Sequence, residues 1–436
     1  MTVPAVLPRS RGVAIRGVHY PVVLPSVRDP RLHLAVVIIS LQVLGQAAFD
    51  FRLSIAQILI SVGTCAVLEV AIVLRRQRML VWPASALLTG NGVAFILRVP
   101  GTEHGDWWST NGWWIFAGTA AISLLSKYVI RFQGAHVFNP SNLGLVLCFL
   151  ALGPERADPL DFWWGPMSPA LALALAIIVV GGFVILSRLR LLAMALSFWL
   201  LFVTAVAVVA VTGHAMTARW HLGPVEGFRF WTILAFSPEI LVFLFFMLTD
   251  PKTVPAGKRQ RVVFGVCVAL LAALLVALSP TEFWAKVAVL AALVVVCAAR
   301  PLAGILPSIR PGRRSVVALA AAGFVTYSGA LVVAGTQTRS EAVAAQPAAQ
   351  ATRLPRVVIR ASKGVDSTLD RRTAVRIAAD LQKRRPALRL RRVAVWLEAG
   401  SDQFPVIVAR LEGRSLEQTV EVTLSRSGYR IARIRG

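Results

Sequence analysis

The chain has 436 residues, of which 56% are hydrophobic and 15% charged, with a mean hydropathy of +0.68. A soluble domain carries about 45–50% apolar and about 25% charged residues. The composition therefore excludes an ordinary soluble enzyme, a disordered chain and a collagen-like fibre, and points to a membrane protein. A formal net charge of +25 would suggest nucleic acid in a soluble chain; in a membrane protein its distribution reports topology.

The first thirty residues are basic and proline-rich. They contain no short apolar stretch ending at a small-residue cleavage site, so no cleavable signal peptide is expected. A bilayer core of about 30 Å takes about 20 apolar residues of helix. On that measure the chain divides into eleven expected spans, roughly 32–49, 54–74, 80–98, 112–130, 139–153, 168–187, 190–212, 230–249, 261–279, 281–300 and 315–335. The third carries Pro83, Thr89, Gly90, Asn91 and Gly92, and the fifth is short and opens at Asn139-Pro140. Polar or truncated spans of this kind tend to be broken helices whose free backbone groups line a site.

The basic residues orient these spans. With the N-terminus inside, the inside segments hold twenty lysines and arginines. The outside segments hold six, Arg52, Arg98, Arg156, Arg219, Arg229 and Lys286, and the remaining twenty lie in the C-terminal tail. The loops around Glu103/Asp106 and Glu155/Asp158/Asp161 fall outside. This is the positive-inside pattern along the whole chain, and an odd number of spans places the C-terminus outside. Trp107, Trp108, Trp113, Trp114, Trp163, Trp164, Trp231 and Trp284 fall at expected outer ends, as interfacial anchors do. Neither group of charges argues for nucleic acid; the expected partner is the lipid bilayer.

The organisation expected is a basic cytoplasmic segment at 1–31, a membrane domain at 32–300, a basic loop and eleventh helix at 301–335, a flexible linker at 336–355 and a small α+β extracytoplasmic domain at 356–436. In that last unit a strand at 356–361 precedes a helix capped by Ser367 and running to about Arg384. Strands follow at about 390–398, 404–411, 417–425 and 428–434. Its arginines form either a solvated surface or a docking face for anionic lipid or an acidic partner. Cys65, Cys148, Cys267 and Cys297 each sit in an apolar run without metal-ligand spacing, and are read as core residues.

Soluble-enzyme motifs are absent: no HExxH, P-loop, GxSxG or dinucleotide fingerprint. Polar residues gather instead near the expected inner ends of particular spans. Lys127 and Arg131 are four apart and share a helix face. They are either topological charges or ligand contacts. Asn139 and Asn142 open the fifth span; Asn139 is either a helix cap or, with Asn142, a donor–acceptor set suited to the edge of a heterocycle. Thr249-Asp250-Pro251 ends the eighth span, where Asp250 either caps the next segment or holds a cation or polar ligand. Glu69 is the one acid well inside a span, placed for function or for snorkelling to the basic loop at Arg75. Glu239, after Ser237-Pro238, is a weaker case of the same kind. The histidines are scattered, which argues against haem or metal.

Ser85–Gly90, then Ser126-Lys127-Tyr128 with Arg131, Gly134 and His136-Val137-Phe138-Asn139-Pro140-Ser141-Asn142, then Phe246-Met247-Leu248-Thr249-Asp250-Pro251 resemble the membrane subunit family of the Rnf and Na⁺-translocating NADH:quinone reductase complexes, the RnfD/NqrB family. The stand-alone actinobacterial branch associated with enediyne biosynthesis is the most similar part of it. The resemblance covers roughly residues 30–300. It implies an α-helical polytopic fold of ten helices in two inverted five-helix repeats. It also implies flavin cofactors and electron transfer with redox partner proteins, coupled to Na⁺ or H⁺. By the same resemblance Thr89, Gly90, Lys127, Arg131, His136, Asn139, Asn142, Thr249 and Asp250 belong to an inner-side pocket for a non-covalent flavin, riboflavin or FMN. Family members also carry FMN on the threonine of an S-G-A-T-P-like motif. Here Gly165-Pro166-Met167-Ser168-Pro169 puts Ser168 at that place and lacks the preceding Gly-Ala, which argues against covalent FMN. The alternative function is non-redox transport of an ion or a small hydrophobic product, in the setting of natural-product biosynthesis.

Overall fold

Long apolar runs, closed by capping side chains and interrupted by Pro and Gly, set the helices of this chain. The computed structural model describes residues 12–15, 18–26, 29–221, 224–303, 327, 329–334, 356–363, 369–384, 392–399, 405–412, 417–425 and 428–435. The expected linker, most of the expected eleventh span and Ser367 lie outside them. The helices are α1 (Pro30–Ala48), α2 (Ile55–Gln77), α3 (Ala84–Ile96), α4 (Trp113–Val129), α5 (Pro140–Leu152), α6 (Pro169–Leu189), α7 (Leu192–Val211), α8 (Gly227–Phe236), α9 (Pro238–Val242), α10 (Lys258–Ala277), α11 (Glu282–Ala303) and α12 (Arg371–Arg384). Short strands lie between them: β1 (Gly12–Ile15), β2 (Val18–Val23), β3 (Leu80–Val81), β4 (Leu97–Arg98), β5 (Arg131–Phe132), β6 (Ala135–His136), β7 (Asp158–Pro159), β8 (Ala215–Thr217) and β9 (Pro224–Glu226).

Among the described residues seven helices are long and apolar enough to cross a membrane: α1, α2, α6, α7, the segment Gly227–Met247, α10 and Glu282–Ala299 of α11. The helix α3 is shorter than the expected third span. Pro83 stops it at one end, with Leu80 and Val81 drawn into pairing with Val22 and Val23. At the other end Leu97 and Arg98 extend and pair with Pro159 and Asp158. The N-terminal hairpin of β1 and β2 is strand that the basic, proline-rich composition did not announce. The Gly227–Met247 segment is the most buried of the seven. It breaks at Ser237, whose side chain accepts from Ile240 N to restart the helix. It then widens into a π-turn over Phe243–Met247, a local irregularity that frequently marks functional sites.

Small residues let the helices approach closely, as expected where lipid tails offer no hydrophobic drive to helix association. Ser61 Oγ of α2 donates to Gly90 O of α3 at 2.8 Å. A Cβ on Gly90 would lie 2.6 Å from Ser61 O. Gly144 of α5 meets Thr119 and Ser123 of α4 in the same way, and Gly265 of α10 meets Met194 of α7. In packing, α2 contacts α3 and α4, α4 contacts α5, and α1 contacts α3; later in the chain α7 contacts α8 and α10, α10 contacts α11, and α6 contacts α9.

Among the described residues the connectors sort into two sets that bond only within themselves. Ile55 N donates to Trp107 O at 2.8 Å, and Gln57 Nε2 to Asn111 O at 2.8 Å. Arg98 pairs with Asp158 across β4 and β7. Arg219 reaches Asp158 at 2.9 Å, and Thr217 bridges Thr281. This set joins the connectors after α1, α3, α5, α7 and α10. In the other set β2 pairs with β3, Arg188 Nη1 lies 3.4 Å from His33 Nδ1, Arg261 Nη1 donates to Arg190 O at 3.2 Å, and His136 Nε2 lies 3.3 Å from Asp250 Oδ2. The first set is the one expected outside from charge, the second the one expected inside.

Two of the single-residue expectations are corrected. Trp164 is buried among Phe49, Phe51 and Phe95 and is a core residue, while Trp107, Trp108, Trp113, Trp114 and Trp284 are exposed. Cys267 is exposed, unlike the other three cysteines, because it lies on a face of α10 that no described element covers.

Toward the C-terminus β10 (Arg356–Ile359), β11 (Arg392–Ala399), β12 (Pro405–Glu412), β13 (Glu417–Ser425) and β14 (Gly428–Arg435) form one sheet in that order. β10 runs parallel to β11 and the rest antiparallel. The amphipathic α12 lays Ala374, Ile377, Ala378 and Leu381 on Val393, Val395, Leu397, Ile407 and Ala409. Asp370 precedes this helix and caps it, its Oδ1 accepting from Thr373 N at 3.0 Å.

The close approach at Gly90 gives a paired expectation. Gly90→Ala forces backbone apart and lowers the thermal midpoint in detergent, overpacking costing about 1–3 kcal/mol. Gly63→Ala in α2 meets nothing within 4 Å and leaves the midpoint unchanged or raised, since Ala is favoured over Gly in a helix by about 1 kcal/mol.

Candidate functional site

On the expected inner face, α2, α3 and α4 bring four polar side chains together. Lys127 Nζ lies 3.0 Å from Glu69 Oε1 and 3.3 Å from Ser85 Oγ. Tyr128 Oη donates to Glu69 Oε2 at 2.5 Å. Glu69 is therefore neither solitary nor snorkelling, and Lys127 is more than a topological charge. The pair is largely shielded from solvent, with 9% of the Lys127 side chain and 14% of Glu69 exposed.

Next to it the β5–β6 hairpin carries His136 to Asp250. Arg131 turns back within this hairpin to the Gly134 carbonyl. Asp250 also accepts from Lys252 N at 3.0 Å, so the capping role and the polar-contact role coexist. Phe132, Ala135, His136, Val137, Lys252 and Pro301 line a small, partly open pocket beside it.

Asn139 and Asn142 do something different from presenting a free heterocycle edge. Asn139 caps α5, its Oδ1 accepting from Asn142 N and Ser141 Oγ, and its Nδ2 donates to Met247 O at 3.1 Å. Asn142 Nδ2 donates to Leu290 O at 2.9 Å, leaving its buried Oδ1 without a hydrogen bond. Thr89 and Thr249 bond back to Ser85 O and Phe245 O in their own segments, and Gly90 sits against α2. Ser168 caps α6 through Leu171 N at 3.2 Å. The structure thus brings Lys127, His136 and Asp250 into polar contacts at one face, and gives Thr89, Gly90, Thr249 and Ser168 local structural roles.

The opposite face holds a second cluster that the sequence did not reveal. Lys286 of α11, its side chain 1% exposed, lies 3.0 Å from Asp161, 3.6 Å from Asp158 and 3.8 Å from Glu282, and donates to Pro159 O at 2.8 Å. Glu282 Oε1 also accepts from Phe162 N at 2.8 Å. Burial pushes the Asp158 carboxyl up from its ordinary value, against the pull of Lys286 and Arg219. Lys286 reads in sequence as one of six outside charges. Its spacing of four from Glu282 on a helix was the signal that could have singled it out. Near this cluster, in the connector after α7, burial pushes the His214 imidazole down to about 4.

Apolar helices packed by small residues, with ionic groups paired in their interior, define a membrane-embedded helical protein. No family model matches the chain, and no curated protein matches it.

Two expectations follow from these groups. Lys127→Met strands Glu69 and costs about 3–5 kcal/mol, the usual effect of breaking a buried ion pair from one side. Adding Glu69→Gln restores most of the loss, which a double-mutant cycle on detergent-solubilised protein reads directly. For His214 the folded-state value lies below the ordinary one, so the unfolded chain protonates first. The stabilisation is full above about pH 6.5 and is lost as the pH falls toward about 4. His214→Phe flattens the thermal midpoint across that window.

Proposed function

We propose that the chain is a multi-pass membrane protein of two opposed five-helix halves, and that its inner-face site holds a flavin without a covalent bond. On this reading α1–α5 form one half and α6–α11 the other, with Gly227–Met247 as a single broken crossing. The sorting of the connectors into two sets supports ten crossings. The matching packing of the two halves supports the repeat. Each half breaks its third crossing, at Leu97 and at Ser237. Each opens its fifth with a proline preceded by a polar residue, Asn139-Pro140 on one face and Ser279-Pro280 on the other. Opposed halves with broken crossings are the architecture that carries a site between two faces.

The observation that carries the cofactor reading is the convergence of His136, Asp250 and Lys252 at one small inner opening. The space there is about 20 Å³, room for about one water and far below the about 300–1,000 Å³ of ordinary ligand pockets, so it marks one contact point of a flavin and does not enclose it. On this reading one end of a flavin would meet His136 and Lys252 through a phosphate or the anionic edge of the ring. The bound flavin would supply one- or two-electron chemistry to partner proteins, and the chain would hold and tune it. Asn139 and Asn142 then act by fixing the backbone behind the pocket. Ser168, occupied as a cap, stays unmodified.

Purified protein is expected to carry close to one flavin per chain by absorbance, and His136→Ala with Lys252→Ala to lose most of it. Denaturing gels are expected to show no flavin fluorescence on the polypeptide. Colourless wild-type protein prepared with flavin present would sink this reading. Transport of an ion or small hydrophobic product would then stand, because the opposed broken crossings favour it independently of any cofactor.

A further inference from the structure

The Lys286 cluster leads inward to a carboxylate that nothing so far has used. Glu239 lies just after the break at Ser237, about midway along Gly227–Met247, which on the ten-crossing reading places it near the centre of the bilayer. It is 5% exposed, and its buried Oε2 has no hydrogen-bond partner among the described residues. Arg98, at the corresponding break after α3, shows the complementary defect. Its Nη1 serves Ala94 O, Phe95 O and Leu97 O, while its buried Nη2 has no hydrogen-bond partner among the described residues.

The charged groups that bear on Glu239 are Lys286 and Glu282 of α11, Asp161 of the 153–168 connector, and Arg98. Of the other segments packed on it, α6 carries no titratable side chain before Arg188. The one titratable group of α8, Arg229, lies over the rings of Trp163 and Trp220. Lys286 cannot neutralise Glu239, because Asp158, Asp161 and Glu282 already surround it. Four carboxylates, Asp158, Asp161, Glu239 and Glu282, therefore face three cations, Lys286, Arg98 and Arg219. Of the cations Arg219 is largely exposed, with 62% of its side chain in solvent. An unpaired ionised carboxylate in an apolar interior is too costly to persist. One added proton balances the cluster.

We propose that Glu239 is a proton-binding group of the membrane unit, filled from the face that carries the 153–168 connector. Asp161 is the solvent end of the route, with 34% of its side chain exposed, and Lys286 joins it to Glu282, at 3.0 Å and 3.8 Å; the route proposed runs on from there to Glu239. A hydronium ion gives its proton to the Asp161 carboxylate and leaves as water. The O–H bond formed there breaks as the proton passes to Glu282 and then to Glu239, where the final O–H bond forms. The net change is one proton moved from the surface to Glu239, with no electron transferred. The inference goes beyond the flavin reading and stands whether or not a flavin binds on the other face.

Infrared difference spectroscopy of the full-length protein in lipid nanodiscs, between mildly acidic and alkaline buffer, tests it. A protonated-carboxyl carbonyl band that titrates is expected in wild type. It is expected to vanish in Glu239→Gln and to persist in Asp250→Asn, whose carboxylate lies on the other face. Asp161→Asn is expected to keep the band and slow its response to a pH jump at least several-fold. If Glu239→Gln does not accumulate, wild type grown on isotope-labelled glutamate carries the test: the band must shift with the label. No band in wild type, a band unchanged in Glu239→Gln, or no isotope shift would overturn the proposal. Proton release into weakly buffered solution on adding NaCl, lost in Glu239→Gln, would support it and show that sodium competes for the same carboxylate.

Discussion

Inside an apolar medium no water is at hand to satisfy a backbone group that a broken helix sets free, and each such group left alone costs several kcal/mol (about 2–7 by transfer). Much of this molecule follows from that constraint. Its helices break at Leu97, before α5 and at Ser237, and at each break a polar side chain supplies what the helix no longer does. Arg98 covers three carbonyls at the end of α3. Asn139 covers Met247 O, and Trp199 Nε1 reaches Ala235 O at 3.0 Å. Lys286 covers Pro159 O. Polar residues that look like candidates for ligand binding are first of all backbone partners.

The same constraint divides the ionic groups into two clusters. Glu69, Lys127 and Tyr128, with His136 and Asp250, gather at one face; Lys286 with Asp158, Asp161 and Glu282 gathers at the other. Between them Asn142 donates to Leu290 in α11, the helix whose first turns hold Glu282 and Lys286. The helix α11 thus touches the polar apparatus of both faces. Its burial, greater than that of α1, α2 or α6, agrees with that central place.

Apolar run length, cap residues and proline placed the helices in sequence to within a few residues, because those signals are local. The strands and helix after Arg356 were legible for the same reason, through period-two and period-3.6 alternation. What sequence did not yield was partnership. Glu69 stood out as an acid within a span, but its partner Lys127 lies 58 residues away, and no periodicity links the two. Asn139 looked like a cap, and is one, yet its longer bond spans 108 residues. Trp164 resembled its neighbours at the membrane boundary, and only packing against Phe51 and Phe95 distinguishes it. Lys286 was counted as a surface charge because hydropathy cannot tell a lysine at the end of a helix from one turned into the protein.

The bond from Asn142 to Leu290 joins residues 148 positions apart, and this has a consequence for how the chain is made. A helix inserted early in synthesis carries a polar amide toward an acceptor that has not yet been translated. Until α11 emerges, Asn142 must face lipid, a transient neighbour or a wet insertion channel. On that account the first half of the molecule waits for this partner while a further 148 of the 436 residues are made. Chains shortened before α11 leave that amide without its Leu290 acceptor.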